Sequence, residues 1–528
     1  MKIAEFKFIK LSNKLHQKGL FLQVCAMALF GMVASLSLPP LFIFPAILGF
    51  IPFFIHSLLS KSVRQIMSLF WGFGFGWFAA SLYWKSASLF VDISWQILLL
   101  PFSLFGLPAF LAVFWAFAGL FVFICGKTII SRLLFSVLFI GIAELGRSVL
   151  FSGFPWNSPS HLILTHVYLS QIVSVIGQNG SAFLILLFIV SLCFLCPRSW
   201  KLCFLCIMPF IISVFYGYWR IDYASVPVNL ELEQNSDYLI RIVQPNIPQN
   251  QRWKPEYKDQ HIDSLFALSK LKKTSASLII WPEAAYPSIW PNSKKEFNDI
   301  VKKILDDKSE LLSGMLRFDL DKKLYNSAIL FDTNGDSAGI IDKQKRVPFG
   351  EYIPFRDNFP FKNLSLFGNK MDINIGPNKG LLYTKDNIKL GIFICYEIIF
   401  PVSFSSKDRP DIIVNLTNDA WFGKTLGPYQ HLSQARLRSI EEGLPLVRVA
   451  NTGISAAFDY KGILLGKINL SEKGILDIRL PLKQEATIYS RYRWKITTVL
   501  IFILILCSVF LDQNHLRGQK ANKFNGIG

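Results

Sequence analysis

Charged residues are scarce in this chain. Aspartate, glutamate, lysine and arginine make up only 17% of its 528 residues, against about a quarter in ordinary soluble domains. The shortage is uneven, because long apolar runs occupy the start and the end of the chain and leave a polar block between them. A chain that is 52% hydrophobic and holds 48 phenylalanines is therefore interpreted as a membrane protein that carries a water-soluble domain.

Cysteine is almost absent from the polar block. Seven of the eight cysteines lie in apolar runs and only Cys395 lies elsewhere, which excludes a disulfide framework. Cys193-x-x-Cys196 and Cys203-x-x-Cys206 look like a zinc site, but only six residues separate the pairs, where structural zinc sites usually have roughly a dozen or more. We interpret these four cysteines as small apolar residues of membrane spans.

Other ligand-binding patterns are also missing from the polar block. It has no glycine-rich phosphate loop, no cluster of His, Cys and Asp with metal spacing, and no basic stripe interleaved with aromatics. We therefore expect no cofactor, no metal and no nucleic-acid partner. The net charge of +19 has another source, because much of the excess flanks the apolar runs, as the positive-inside rule describes.

Eight apolar runs are predicted to cross the membrane, whose hydrocarbon core of about 30 Å takes roughly 20 helical residues. A cleavable signal peptide is an alternative for the first run, but further spans follow it at once. The predicted spans are 20–38, 41–59, 67–83, 97–124, 133–150, 172–195, 202–218 and 496–511. If the N-terminus is cytoplasmic, the basic loop residues lie inside, while the outer loops hold little but Lys85.

This topology divides the chain into three predicted parts. Residues 1–220 form a transmembrane helical domain of seven spans, residues 221–490 a water-soluble domain on the outer side of the membrane, and residues 491–528 a final span with a cytoplasmic tail. In the polar block, strands and helices alternate, which is typical of a layered α/β domain. The predicted strands are 238–244, 277–281, 311–316, 325–331, 389–394, 411–416, 448–450 and 455–458, and the predicted helices are 255–271, 293–306 and 429–442.

Residues 347–382 interrupt this pattern. A loop of this length inside a compact domain is usually functional or disordered, and its apolar residues argue against disorder. We interpret it as a lid that faces the bilayer, with packing in the domain core as the alternative. The apolar residues are Phe355, Phe359, Phe361, Leu364, Leu366 and Phe367.

Three residues at strand ends form a candidate catalytic set. Cys395 follows the predicted strand 389–394, Glu283 closes the strand that ends in Trp281-Pro282, and Lys343 lies shortly before Glu351. A lone cysteine is more often a small buried hydrophobe, but strand ends gather at one edge of an open α/β sheet, where these residues could meet. A desolvated carboxylate could then act as general base for the thiol, and an ammonium with a backbone N–H could stabilise an oxyanion.

These segments resemble the three catalytic blocks of the nitrilase, or carbon-nitrogen hydrolase, superfamily. With seven leading spans and one trailing span, the chain resembles the membrane-bound apolipoprotein N-acyltransferase family of that superfamily. The resemblance covers nearly the whole chain. Its blocks are Trp281-Pro282-Glu283, Lys343 with Val347-Pro348-Phe349-Gly350-Glu351, and Cys395-Tyr396-Glu397, and further matching pieces are 153–156, 244–249 with Trp253, and 415–423.

The resemblance implies a fold and a set of site residues. The fold is a polytopic α-helical membrane protein of about eight spans with an inserted α/β nitrilase-like αββα sandwich domain. Cys395 would be the acyl-accepting nucleophile, Glu283 the general base and Lys343 the oxyanion stabiliser. The residues implied to support the site or bind substrate are Glu351, Trp253, Tyr396, Glu397, Trp421 and Trp156.

The resemblance also implies an activity. A fatty acyl chain would pass from a membrane phospholipid to the N-terminal α-amino group of the diacylglyceryl-cysteine of an apolipoprotein, by a ping-pong mechanism through a Cys395 thioester. It implies a monomer in the bacterial inner membrane, with the catalytic domain on the periplasmic side. Both substrates carry acyl chains, so an enzyme that joins them needs its nucleophile near headgroup depth.

Three alternatives stay open. A membrane-anchored amidase or nitrilase would use the same Glu-Lys-Cys triad to hydrolyse a carbon-nitrogen bond. A lipid transporter or scaffold would carry a decayed nitrilase domain. A Cys-His hydrolase would use His431 or His261 as the base, although His431 starts a predicted helix and is expected at the surface.

Overall fold

The structure is a computed structural model of the chain. It divides into two compact units, one of Met1–Ser86, Leu99–Ala224 and Tyr492–Gly528, the other of Ala87–Leu98 and Ser225–Arg491. Residues 87–98, which the sequence analysis counted with the membrane-spanning part, thus belong to the second unit. The residues described are 14–91, 95–194, 200–222, 238–272, 275–291, 294–354, 371–377, 381–401, 404, 408–481 and 483–524.

Helices form the first unit and part of the second. Serine and threonine caps begin two of the long ones: Ser62 accepts a hydrogen bond from the N–H of Gln65, and Thr128 forms a capping box with Ser131. The α-helices are α1 (Leu20–Ser35), α2 (Phe50–Leu58), α3 (Val63–Leu82), α4 (Leu107–Cys125), α5 (Ile129–Val149), α6 (Val167–Ser170), α7 (Val173–Cys193), α8 (Trp200–Asp222), α9 (Lys258–Ser269), α10 (Lys294–Ile304), α11 (Gly427–Glu442), α12 (Ile488–Tyr492) and α13 (Trp494–Phe524).

Six helical segments in the described part of the chain are long and apolar enough to cross a membrane. Two shorter apolar helices, Leu20–Ser35 and Phe44–Leu58, lie where the first two spans are predicted. All eight predicted spans therefore coincide with apolar helices, and the count of eight is approximate. The six long segments are Val63–Phe90, Gln96–Cys125, Ile129–Ser152, Val173–Cys193, Trp200–Asp222 and Trp494–Gln513.

Glycines allow α1 and α3 to pack closely. A Cβ added at Gly76 would lie 1.8 Å from the carbonyl oxygen of Ala28, and one added at Gly31 would lie 2.1 Å from that of Phe73. Any side chain at these two positions would push the helices apart. Small residues at such contacts are typical of apolar helices that pack in a membrane.

Two β-sheets form the centre of the second unit. The strands are β1 (Leu239–Gln244), β2 (Leu278–Trp281), β3 (Ile289–Trp290), β4 (Glu310–Phe318), β5 (Leu324–Phe331), β6 (Ser337–Asp342), β7 (Leu381–Tyr383), β8 (Lys389–Ile394), β9 (Ile412–Thr417), β10 (Leu446–Ala450), β11 (Ser455–Phe458), β12 (Leu464–Ile468) and β13 (Gly474–Arg479). The first sheet has the order β13-β1-β2-β4-β5-β6, with β3 beside β4, and the second has the order β12-β11-β10-β9-β8-β7. β1, β2 and β4 are parallel to one another, as are β8, β9 and β10.

Apolar side chains fill the space between the two sheets. One buried cluster joins Ile240 and Leu312 of the first sheet to Ile392 and Val414 of the second. A second cluster packs the other face of the first sheet against α9 and α10, and α11 contacts β10 of the second sheet. Helices thus cover the outer faces of two packed sheets, which is the predicted αββα sandwich.

Two sequence-based interpretations fall partly outside the described residues. The apolar centre of the predicted lid, 355–370, and Cys196 of the zinc-like set lie there. Among the other cysteines of that set, Cys203 and Cys206 are buried. Beside the undescribed lid segment, the side chains of Phe349 and Met371 are exposed.

Candidate active site

Strand ends bring the three candidate catalytic residues together. Glu283 lies two residues beyond β2, Lys343 directly follows β6, and Cys395 directly follows β8. Side chains at the carboxyl ends of parallel strands collect at one edge of an α/β domain. In the folded chain, the ammonium of Lys343 lies 3.6 Å from the Glu283 carboxylate, and the charges of both residues act on the Cys395 thiol.

Lys343 lies between two carboxylates. Its Nζ donates to Oε1 of Glu351 at 2.7 Å and lies 3.6 Å from Oε1 of Glu283. The Lys343 side chain is only 1% exposed, and burial by itself would lower its pKa. The negative charges of Glu351 and Glu283 outweigh that effect and raise the pKa of Lys343 above its ordinary value. The site therefore contains a permanent buried ammonium.

The Cys395 thiol is protonated at neutral pH. Burial, together with the negative charge of Glu283, raises its pKa to about 12, although the positive charge of Lys343 opposes this. Only a thiolate is a strong nucleophile, so this cysteine needs a base that removes its proton as it reacts. Glu283 is the carboxylate whose charge acts most strongly on the thiol.

A carboxylate ties the Cys395 strand to the Lys343 loop. Oε2 of Glu397 accepts a hydrogen bond from the N–H of Ile394 at 2.8 Å, and its Oε1 accepts one from the N–H of Lys345 at 2.9 Å. Cys395 itself begins the short 3-10 helix Cys395–Ile399 and has φ +53°, which is unusual for a residue with a side chain. Glu397 therefore fixes the two chain segments that carry the thiol and the ammonium.

The remaining support of Glu283 was missed in the sequence. Asn326 on β5 donates from Nδ2 to Oε1 of Glu283 at 2.8 Å. Arg252, which is buried, donates to the carbonyl oxygens of Glu283 and Ala284. Burial lowers the pKa of Arg252 to about 10, still well above neutral pH. Asn326 is a polar residue within the apolar strand β5, and this pattern could have indicated its role. The sequence around Arg252 contains no comparable signal.

His431 lies inside the domain, so the expectation that it is a surface residue is wrong. It is on α11, its side chain is fully buried, and its Nε2 lies 3.2 Å from the carbonyl oxygen of Cys395. Its Nδ1 lies 2.9 Å from Oδ1 of Asp419, which Arg448 also contacts. His261, the other histidine considered, lies on α9 with its ring stacked on Tyr257.

The aromatic residues implied by the resemblance are spread over both units. Trp253 is 43% exposed beside Arg252, and Tyr396 is buried with its ring edge-on to that of Phe400. Trp421 is partly exposed in the 3-10 turn Asp419–Phe422. Trp156 belongs to the first unit, where its carbonyl oxygen accepts a hydrogen bond from Arg147 at 2.8 Å. Their contributions to a substrate site remain predictions.

The part of the chain that the structure describes contains no cluster of metal ligands. No group of three or more His, Cys, Asp and Glu side chains in this part of the structure could hold a metal ion. The chemistry available to the described site is that of a carboxylate, an ammonium and a thiol, the set suited to acyl transfer through a covalent intermediate.

Comparison with known proteins identifies the family. Residues 239–488 match the carbon-nitrogen hydrolase model and residues 30–191 match the apolipoprotein N-acyltransferase N-terminal domain. The apolipoprotein N-acyltransferase of Rhizobium rhizogenes is 34% identical over 427 residues, 78% of this chain and 79% of the relative. That of Rickettsia bellii is 32% identical over 503 residues, 93% of this chain and 98% of the relative. The chain belongs to the apolipoprotein N-acyltransferase family.

Membership of the apolipoprotein N-acyltransferase family makes this chain a membrane-bound acyltransferase of the nitrilase superfamily. Solved structures that resemble it include the carbon-nitrogen hydrolase of Helicobacter pylori G27, at 16% identity over 49% of this chain and 94% of that chain, with a TM-score of 0.36. A mutant amidase of Nesterenkonia sp. AN1 has 16% identity over 52% of this chain and 100% of that chain, with a TM-score of 0.37.

Proposed function

We propose that this enzyme transfers a fatty acyl chain from a membrane phospholipid to the α-amino group of the diacylglyceryl-cysteine of apolipoproteins, through a thioester on Cys395. The main support is the position of Lys343, whose ammonium lies 3.6 Å from Glu283 while both residues act on the Cys395 thiol. The charges of the proposed base and of the ammonium thus both act on the proposed nucleophile, which supports the proposal. The family supports lipoprotein N-acylation as the overall reaction.

In the first step, Cys395 takes the acyl chain. Glu283 removes the proton from Sγ as the thiolate attacks the ester carbonyl carbon of the phospholipid. The negative charge that develops on the carbonyl oxygen is stabilised by Lys343 and a backbone N–H. The carbon–oxygen ester bond then breaks, and the lysophospholipid oxygen leaves with the proton held by Glu283.

In the second step, the acyl chain moves to nitrogen. The neutral α-amino group of the lipidated cysteine attacks the thioester carbonyl carbon, and Glu283 accepts a proton from that nitrogen. The carbon–sulfur bond breaks, the amide forms, and Glu283 returns its proton to the Cys395 sulfur. Both steps pass through an oxyanion at the same place, so one ammonium serves both.

Glu351 has a supporting role in this proposal. Its Oε1 accepts from Lys343 at 2.7 Å and its Oε2 accepts from the N–H of Val347 at 2.8 Å. The second bond holds the carboxylate on a tight turn, because the N–H of Glu351 itself donates to the carbonyl oxygen of Val347. Glu351 thereby keeps the ammonium in place while Glu283 gains and loses a proton.

We propose the inner membrane as the location, with the catalytic unit on the periplasmic side. The basic residues of the predicted inside loops support this orientation, because positively charged loops stay in the cytoplasm. The proposed reaction uses Glu283, Lys343 and Cys395 of one chain, so a monomer suffices. The inside-loop residues described are Lys61, Arg64, Lys127, Arg132 and Lys201.

A labelling experiment tests the proposal. The purified enzyme in detergent is incubated with a phospholipid that carries a radiolabelled acyl chain, and the protein is then analysed by mass spectrometry and treated with hydroxylamine. We expect one acyl group on Cys395, released by hydroxylamine and transferred to a synthetic diacylated lipopeptide. Cys395→Ala removes the label, whereas the control Cys25→Ala, at an exposed cysteine of α1, keeps it.

The same experiment separates the alternatives. An unlabelled Cys395 together with hydrolysis of small amides would favour a membrane-anchored amidase. If Cys395→Ala retained full function in cells, the chain would be a scaffold or transporter, and the proposed reaction would be wrong.

A further inference from the structure

Two buried side chains hold the carbonyl oxygen of Cys395. Nε2 of His431 lies 3.2 Å from this oxygen and Nδ2 of Asn415 lies 3.4 Å from it. A carbonyl oxygen only accepts hydrogen bonds, so both nitrogens must be donors. Nε2 of His431 therefore carries a proton and faces the backbone of the nucleophile, an arrangement that does not fit a base for Sγ.

A buried ion pair fixes these two side chains. Arg448 donates to Oδ2 of Asp419 and to Oδ1 of Asn415, each at 2.5 Å. Nδ1 of His431 lies 3.0 Å from Nη2 of Arg448 and 2.9 Å from Oδ1 of Asp419, so with the proton on Nε2 it accepts from the guanidinium. All four side chains are at most 1% exposed, so the network is closed to water and has little freedom to move.

The backbone at Cys395 requires such support. Its φ of +53° lies in the left-handed region, which a residue with a Cβ rarely adopts unless its surroundings enforce it. The peptide group between Cys395 and Tyr396 is planar and trans, so its carbonyl and its N–H point in opposite directions. A side chain that fixes the carbonyl therefore also fixes the direction of the N–H next to the thiol.

We infer that His431 is a positioning residue for the nucleophile. Its Nε2–H holds the carbonyl of Cys395 and so directs the N–H of Tyr396 toward the oxyanion that forms during acylation. This inference rests on the proposed acylation of Cys395. Donors to an oxyanion are effective because they are aligned before the reaction, so loss of this contact slows acylation without weakening the binding of the phospholipid.

Two substitutions of similar size test this contact. Glutamine is long enough to place an amide N–H near the position of Nε2, whereas asparagine reaches only to the position of Nδ1. We expect His431→Asn to slow thioester formation on Cys395 by about 100-fold, with KM for the phospholipid within about 2-fold of wild type. His431→Gln restores the rate to within about 10-fold of wild type.

Alkylation of Cys395 by iodoacetamide provides a second readout. Since His431 is not the base in this inference, the rate-against-pH profile stays the same in wild type and both variants. A profile that moves in both variants would overturn the inference in favour of a Cys-His pair. Equal acylation rates for folded His431→Asn and wild type would also overturn it.

Folding is checked by thermal unfolding and by size-exclusion chromatography of the full-length variants. If His431→Asn does not fold, the rate of thioester formation is compared between His431→Gln and wild type. A folded His431→Gln whose rate is about 100-fold lower than that of wild type contradicts the inference. Failure of the proposed function is distinguishable, because wild type itself would then form no thioester.

Discussion

Because Gly314 has no side chain, the backbone at Glu283 can pack directly against it. A Cβ built at Gly314 would lie 2.4 Å from the carbonyl oxygen of Pro282 and 2.6 Å from Cα of Glu283. The N–H of Ala285 also donates to the carbonyl oxygen of Gly314 at 2.8 Å. The position of the proposed base thus depends on a missing side chain in the neighbouring strand β4.

Gly314→Ala is expected to displace Glu283. The added methyl group meets backbone atoms, which cannot rotate away, so we expect a loss of about 1–3 kcal/mol in the free energy of unfolding. Misplacement of the base should slow thioester formation by about 100-fold. Gly474→Ala on β13 is the matched control, because its added Cβ would be no closer than 3.9 Å to its neighbour Ile468. A wild-type rate in folded Gly314→Ala would contradict this role.

Glu351→Gln tests the support of Lys343. The neutral amide can still accept from the N–H of Val347, but it no longer attracts the ammonium, so we expect thioester formation to slow by about 10- to 100-fold. The rate of label transfer to Cys395 measures this effect. The control is Glu296→Gln, which removes a carboxylate from an exposed pair with Lys258 and should change nothing. Equal rates for the two variants would show that Glu351 has no part in acylation.

The pH dependence of Cys395 alkylation tests the charges around the thiol. Its pKa of about 12 reflects burial and the negative charge of Glu283, with Lys343 acting in the opposite direction. Glu283→Gln removes a charge that disfavours the thiolate, so the pKa falls and the alkylation rate at pH 8 rises by about 10-fold. Lys343→Met removes a charge that favours the thiolate, so the rate falls.

Peptide-level mass spectrometry restricts this measurement to Cys395, since Cys25 and Cys507 are exposed and can react with iodoacetamide as well. Thioester formation should decrease in both variants, because one loses the base and the other the oxyanion stabiliser. If the two variants change the alkylation rate in opposite directions but both form the thioester more slowly, the electrostatic effect of each residue on the thiol is distinguished from its role in acylation. If alkylation moved in the same direction in both variants, the assigned charges would be wrong.

Parts of this site can be predicted from sequence because they follow short apolar strands. The strand bounds 389–394 and 455–458 match the structure, since continuous apolar runs between turn residues are a strong local signal. Five strands were missed, namely β3, β6, β7, β12 and β13. β13 is held by pairing with β1, more than two hundred residues earlier in the chain, and such pairing depends on tertiary contacts and leaves little trace in local composition.

The buried network that holds the carbonyl oxygen of Cys395 could be predicted from the sequence only in part. Arg448 is a charged residue inside the apolar strand β10, and that pattern signals a buried partner. The parallel pairing of β10 with β9 sets Arg448 opposite Asn415. Its ionic partner Asp419 lies two residues beyond β9, so the partners are distant from Arg448 in sequence. His431 was expected at the surface because a histidine near the end of a helix is more often a surface residue.

Glu397→Gln is expected to separate the Cys395 strand from the Lys343 loop. The carboxylate accepts from backbone N–H groups on both segments, and an amide would turn its own NH₂ toward one of them. Since a buried unpaired donor costs about 1–3 kcal/mol, the free energy of unfolding should fall by that amount, and thioester formation should slow by about 100-fold. The control is Glu472→Gln, an exposed carboxylate that accepts from Asn469.

Because Glu397 has no direct role in proton transfer here, the dependence of the residual rate on pH should match wild type. A changed pH dependence would make Glu397 part of the acid–base chemistry.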